Sequence, residues 1–184
     1  MTAIRLTAAL ISIWTLGAQT ELNTIGPPAE PQYINSFYAV DASGKLIELE
    51  RQRVTFRAKS KVFPGYASIT MTTEFKPGRA PVRLSTDAKF VVRGRSQIDP
   101  LSRFELRLLK GSKDHREFVM SRTHGTILGA SSTSGLDEGD IAVRFEEYGI
   151  GSYRITPDKP LVPGEYALAA RGLASELYCF GVDR

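Results

Sequence analysis

The sequence predicts an all-β protein: a single antiparallel β-sandwich, immunoglobulin-like in general architecture. Three observations carry that expectation. Apolar residues recur at every second position, as in Phe104, Leu106 and Leu108 against Glu105 and Arg107, which is the period of a strand and not of a helix. Clusters of Gly, Pro, Asp and Ser punctuate the chain about every eight to twelve residues, the rhythm of a sandwich or barrel. The closing stretch, Leu161-Val-Pro-Gly-Glu-Tyr-Ala-Leu168 then Leu177-Tyr-Cys-Phe-Gly-Val-Asp183, reads as a corner turn that launches a strand, followed by a last strand. With 184 residues, 42% of them hydrophobic and 24% charged, the chain suffices for one globular domain with a real core.

The N-terminus precedes that domain. Met1-Thr-Ala-Ile-Arg5 gives a short positive start, Leu6 to Leu16 is apolar and uncharged, and Gly17-Ala18 offers small residues for cleavage between Ala18 and Glu21. This is the pattern of a secretory signal peptide over residues 1–20, well short of the ~20 apolar residues of a membrane span. Leu16 is large for the position three before a cut at Ala18, so an uncleaved N-terminal anchor is the competing reading. No Cys follows the apolar stretch, so nothing supports a lipid-anchored form. Residues 21–32, with Gly26-Pro27-Pro28 and Pro31, have no periodicity and read as a Pro-rich leading arm. The sandwich is expected over residues 33–184.

Strand signals then follow in order. Ile34–Val40 is aromatic-rich, and Asp41-Ala-Ser-Gly44 turns it into Lys45–Glu50. Lys45–Arg53 is the best helix candidate, but it is short and better explained as strand. Val54–Ala58 alternates, Phe63-Pro-Gly65 is a turn, and Tyr66–Phe75 alternates until Lys76-Pro-Gly78 breaks it. Pro81–Leu84 and Lys89–Arg93 are short strands. Asp99-Pro100 starts a second series: Phe104–Leu108, a hairpin loop at Lys110–Asp114, and Glu117–Arg122. Gly125–Gly139 is small, polar and Gly/Ser-rich and reads as a mobile loop. Ala142–Glu146, Ser152–Ile155, Glu165–Ala170 and Leu177–Val182 complete the set, with no internal repeat.

Pro163 sets φ for a turn, and Gly164 beside it is free to adopt φ > 0. Tyr166 then sits where a sandwich tyrosine can fold over the corner and bond backbone a few residues upstream. The spacing is one residue shorter than the fibronectin-type version, and an ordinary tight turn needs no such bond. Cys179 is the only cysteine, so no internal disulfide is available. Lying between Tyr178 and Phe180, it faces away from both and reads as a small buried hydrophobe.

Basic residues exceed acidic ones only slightly, 24 against 20, and are spread along the chain. Nucleic-acid binders concentrate positive charge on one face, so no nucleic acid is expected. The nearest cluster is Arg51, Arg53, Arg57, Lys59 and Lys61, with Arg51, Arg53 and Arg57 of one parity. It reads as the solvated face of an edge strand, where charge discourages aggregation. As a functional stripe it suits an anionic envelope partner better than DNA.

No constellation specifies chemistry. His115 and His124 do not make a zinc site, which needs three or four converging ligands. Asp137-Glu-Gly-Asp140 lacks the calcium-loop spacing. Gly149-Ile-Gly-Ser-Tyr-Arg154 has no βαβ context and is no dinucleotide loop; Gly149 and Gly151 permit a turn or bulge there. No Gly-x-Ser-x-Gly elbow exists. No catalytic residue, metal or cofactor is assigned.

Tyr148-Gly-Ile-Gly-Ser-Tyr-Arg-Ile155, Pro157, Pro160-Leu161, Pro163-Gly-Glu-Tyr-Ala-Leu168 and Phe180-Gly-Val-Asp183 resemble the C-terminal part of a type of uncharacterised exported bacterial β-sandwich protein. Those proteins end in a similar Pro-Gly-Glu-Tyr strand followed by a Phe-Gly-Val-Asp strand. The resemblance covers about the last fifth of the chain, with weaker echoes near Phe37–Glu50. It implies secretion and a β-rich fold and carries over no site residue.

The expected function is a non-catalytic exported interaction domain, periplasmic or extracellular, with an envelope or extracellular partner and no membrane span after signal removal. Its binding residues are expected in the polar loops Gly94–Asp99 and Gly125–Gly139. Two other classes compete: a secreted or periplasmic hydrolase whose Ser, His and carboxylate groups meet only in space, and a structural envelope component assembling through strand edges.

Overall fold

The computed structural model describes residues 29–95, 98–126, 129–134, 139–171 and 175–183. The expected signal peptide and residues 21–28 of the leading arm lie outside the described residues. The fold is all-β, as the alternation predicts, with antiparallel sheets. There are three sheets, one more than a simple sandwich.

The first sheet has the order β13-β14-β7-β1-β2, formed by Val143–Glu147, Ser152–Pro157, Lys89–Arg93, Phe37–Val40 and Leu46–Glu48. The middle sheet has the order β12-β8-β15-β16-β3: Asp140–Ile141, Phe104–Leu108, Gly164–Ala170, Glu176–Val182 and Glu50–Arg53. Short β6 (Arg83–Leu84) joins β16 in parallel. The outer sheet has the order β11-β10-β5-β4: Gly129–Ser134, Arg116–Thr126, Tyr66–Phe75 and Phe56–Phe63, with β9 (Lys110–Gly111) beside β10.

The first and middle sheets form the sandwich. Phe37, Phe90, Val92 and Ile155 from one meet Phe104, Leu106, Tyr166, Leu168, Tyr178 and Phe180 from the other in a single buried cluster. Aromatic edges and faces interlock: Phe37 lies edge-on to Phe104 at 5.3 Å, and Phe90 approaches Phe180 at 4.8 Å. The tyrosine corner forms: the Tyr166 hydroxyl donates to the Val162 carbonyl at 2.6 Å, and its ring stacks on Phe180.

Alternation along β15 implies one buried face; in β15 and β16 both faces are buried. Ala167, Ala169, Leu177 and Cys179 point the other way, onto Phe75 and Phe118 at the base of the outer sheet. Cys179 does face opposite to Tyr178 and Phe180. Glu105 and Arg107, which alternate with apolar residues and so suggest a solvent face, are buried at 8% and 3% exposure under that third layer. Arg107 pairs with Asp140 at 2.5 Å, donates to the Val119 carbonyl at 2.8 Å and lies over the Phe118 ring. Burial pushes the Glu105 carboxyl above its usual range, against the opposing pull of Arg107.

Arg116 fastens the outer sheet to the middle one. Its side chain is fully buried, forks onto Glu50 at 2.8 and 3.0 Å, donates to the Pro77 carbonyl at 2.9 Å and covers the Phe75 ring. Glu165 continues the chain of charges, taking Arg83 at 2.5 Å and the Ala80 amide at 2.8 Å. Arg83 also pairs with Asp183 and lies flat on Gly181, where any side chain would collide with its guanidinium.

Three further expectations change. Arg51, Arg53 and Arg57 do not share a sheet: β3 ends at Arg53, and Val54 and Thr55 carry the chain to the outer sheet. There Thr73 locks the passage, accepting from the Thr55 amide and donating to its carbonyl. Gly125–Gly139 is not a plain loop, since Gly125 and Thr126 end β10 and residues 129–134 form β11. Asp99-Pro100 opens one helical turn, α1 (Pro100–Arg103), capped by the Asp99 side chain before β8 starts. Lys45–Arg53 is strand, in two pieces that belong to different sheets.

Two substitutions test these joints by denaturant unfolding. Tyr166→Phe removes one hydrogen bond to a carbonyl at an exposed corner and should cost about 1 kcal/mol. Arg116→Ala strands the largely covered Glu50 carboxylate and should cost about 3 kcal/mol, whereas Arg154→Ala, which breaks a surface pair with Glu146, should cost under about 1 kcal/mol. Equal losses for the two arginines would contradict the joint.

Candidate functional site

The outer sheet is packed only at its base. Thr72, Thr73 and Phe75 of β5, with Arg116, Phe118 and Val119 of β10, are buried. Beyond them no described segment covers the strands, and of their described residues only Ser68 is buried. All eight residues of β4 are exposed, and β4 is an edge strand. The turn Pro64-Gly65, with Gly65 at φ +79°, returns the chain into β5. Around it stand Val62 (77% exposed), Phe63 (62%), Tyr66 (38%) and Ile69 (48%).

Register separates the two faces. Phe56, Ala58, Ser60 and Val62 oppose Thr73, Met71, Ile69 and Ala67, so one face is apolar with small hydroxyls. Arg57, Lys59, Lys61 and Phe63 oppose Thr72, Thr70, Ser68 and Tyr66 on the other. A one-residue irregularity in β10 between Val119 and Ser121 keeps Arg122 and His124 on this second face, opposite Thr70 and Ser68. Glu74 and Glu117 pair directly across its base. The face therefore carries four fixed cations against two carboxylates.

Those carboxylates are neutralised locally. Lys59 reaches Glu74 at 2.5 Å and Glu117 at 3.4 Å, and Arg57 reaches Glu74 at 3.5 Å. The hydrogen bond from Lys59, aided by the charges of Lys59, Arg57 and His115, holds the Glu74 carboxyl below its ordinary range; the same bond to Glu74 raises the Lys59 ammonium. Lys61 makes no ion pair with any described carboxylate. At the tip the Tyr66 hydroxyl meets His124 Nδ1 at 2.7 Å, and the rings stack at 5.8 Å.

Of the sequence candidates, His115 and His124 are not brought together. They flank and lie along β10, nine residues and so roughly 30 Å apart. His115 does join Glu74 and Glu117, with ligand atoms within 4.8 Å of one another. Those three residues could hold a metal only by displacing Lys59, whose ammonium already bridges both carboxylates. The His115 Nδ1 is engaged by Ser112 Oγ at 2.8 Å. That serine also accepts from the Asp114 and His115 amides, so the contact closes an exposed hairpin turn. A nucleophile needs a base within a cleft and an oxyanion site; the turn is convex. Asp140 is committed to Arg107, and Asp137 and Glu138 lie outside the described residues.

A groove of about 410 Å³ lies at the opposite end of the middle sheet, between the entering segment Tyr33–Ser36 and Arg51, Glu176 and Tyr178. Within its walls Arg51 lies over the Tyr178 ring, whose hydroxyl bonds Ser36 and Glu176, while the buried Asn35 Oδ1 has no hydrogen-bond partner among the described residues. Arg83, Arg107 and Arg116 escaped the sequence reading. One signal was there for the last: Arg116 shares the parity of Phe118 on an alternating strand.

Comparison with known protein families, curated proteins and solved structures gives no match. The functional reading rests on the geometry.

Cys179 is fully buried, and burial drives its thiol far above the ordinary range, so it is protonated at neutral pH. It should resist a thiol reagent in the native protein and react on unfolding. Fast native labelling at this residue would contradict the covered second face of β16.

Proposed function

We propose that this chain is a non-catalytic, exported interaction domain that binds through its outer sheet. The single observation that carries the reading is the eight-residue exposed strand β4, held at the edge of a sheet anchored only at its base. Single apolar residues on a surface need no explanation, but clustered exposed Val62, Phe63, Tyr66 and Ile69 mark a contact surface. The stiffness of a hydrogen-bonded sheet presents them in fixed register. Support for a binding role over a catalytic one comes from the ionisable groups. Arg107, Arg116, Arg83, Glu50 and Glu165 are engaged in joints between layers, and Lys59 with Glu74 in a surface pair.

The test is capture from an envelope extract by the full chain. The wild type should retain a component that a Phe56→Ser/Ile69→Ser variant, altered only at exposed positions, retains at least about fivefold less. Retention that ignores these substitutions would place binding elsewhere.

A second reading has its own observation. The other edge of the outer sheet, β11, is Gly129-Ala-Ser-Ser-Thr-Ser134, with no charge and no proline to guard it. Such an edge suits assembly by strand addition. Sedimentation of the purified chain over rising concentration separates the readings: growth into larger species favours assembly, a constant monomer favours binding.

A further inference from the structure

We infer that the β4–β5 hairpin docks the protein on an anionic lipid surface, with the Val62–Tyr66 tip entering the headgroup boundary and Lys61, which pairs with no described carboxylate, held among the phosphates. The inference rests on the outer sheet being the binding surface and names what it binds.

Three features converge. Val62 and Phe63 are neighbours on a strand and point to opposite faces, so the tip is apolar on both sides. A peptide or sugar chain lying on the sheet covers one face only; a boundary that surrounds the tip covers both. Tyr66 adds an aromatic ring with a polar end, the residue type that settles where hydrocarbon meets water. Lys61, Lys59 and Arg57 then recede from the tip along one face. At about 3.3 Å per residue, Lys59 and Arg57 stand about 7 and 13 Å behind Lys61. A headgroup layer about 5–8 Å deep takes Lys61, while Lys59 and Arg57 lie behind it, already paired with Glu74 and Glu117. The aliphatic stem of Lys61 lets its ammonium group stay in water while the tip is covered.

Charge also argues against the obvious alternative, a second copy pairing at this edge. Antiparallel β4 against β4, centred on Lys59, would set Lys59 opposite its own equivalent and Arg57 opposite the other copy's Lys61, like charge against like. An anionic surface meets the same array with the opposite sign.

The experiment uses the full chain with one environment-sensitive dye, at Val62→Cys or, as a control, at Ile150→Cys, which is exposed on the turn between β13 and β14. Cys179 is buried and stays unlabelled. The probes are vesicles of phosphatidylcholine alone and of a three-to-one mixture with phosphatidylglycerol. Dye at position 62 should shift to the blue on the anionic vesicles only, reverse in high salt, and stay unshifted at position 150. Lys61→Glu should lower partitioning about thirtyfold, and Phe63→Ser at least about tenfold. No shift at position 62, an equal shift on neutral vesicles, or partitioning unchanged by both variants would overturn the inference. So would tight binding to dextran sulfate that Phe63→Ser leaves intact, since that marks a soluble polyanion as partner. If position 62 ignores lipid while extract capture still depends on Phe56 and Ile69, the interaction reading stands and the lipid inference falls. If neither responds, both fall.

Discussion

Strands β15 and β16 are closed on both faces, and every other layer is placed by that fact. One side sends Tyr166, Leu168, Tyr178 and Phe180 into the aromatic core shared with the first sheet. The other offers Leu177 with the smaller Ala167, Ala169 and Cys179 to the outer sheet. The first interface is filled largely by rings. The second is filled by Leu177, Leu109, Phe75, Phe118 and two arginine side chains whose charges are met by Glu50 and Asp140.

Those arginines explain how a mostly exposed sheet is held at a fixed angle of departure. Apolar packing alone is non-directional, and the contact area at the base is small. A guanidinium that forks onto Glu50 and also donates to the Pro77 carbonyl specifies orientation as well as attachment. Burying such a pair adds little net stability compared with an apolar contact of the same volume. Its contribution is to exclude other ways of docking the sheet, because any slip would leave a charge uncovered.

Much of this was legible in the chain. Tyr66–Phe75, Lys89–Arg93 and Phe104–Leu108 match strands residue for residue, because alternation and flanking Gly or Pro agree there. The third layer was not legible, for a physical reason: its footprint on the middle sheet is alanine, cysteine and paired charge, which in sequence looks like a solvent face. Residues 129–134 lack bulky or β-branched pattern beyond Thr133 and take strand form from the neighbour they pair with. At the candidate site the cluster of basic residues was visible, and its reading as an edge strand holds for β4. Its grouping was not visible, because the passage at Val54 and Thr55 hands Arg53 and Arg57 to different sheets. The apolar tip is a property of exposure, which no strand pattern reveals.

The position of β16 has a consequence for how the molecule is made. It comes after every other described strand, yet it lies inside the middle sheet between β15 and β3. Glu50 on β3 finds its partner Cys179 roughly 130 residues later, a closure that is entropically slow. On a ribosome the outer hairpins, whose partners are close in sequence, can pair early, while β3 and β6 wait with open edges until β16 arrives. A nascent chain stopped short of Leu177 can complete its first and outer sheets, yet the middle sheet that both pack on stays open. A cell's chaperones and proteases would meet that state before any partner does.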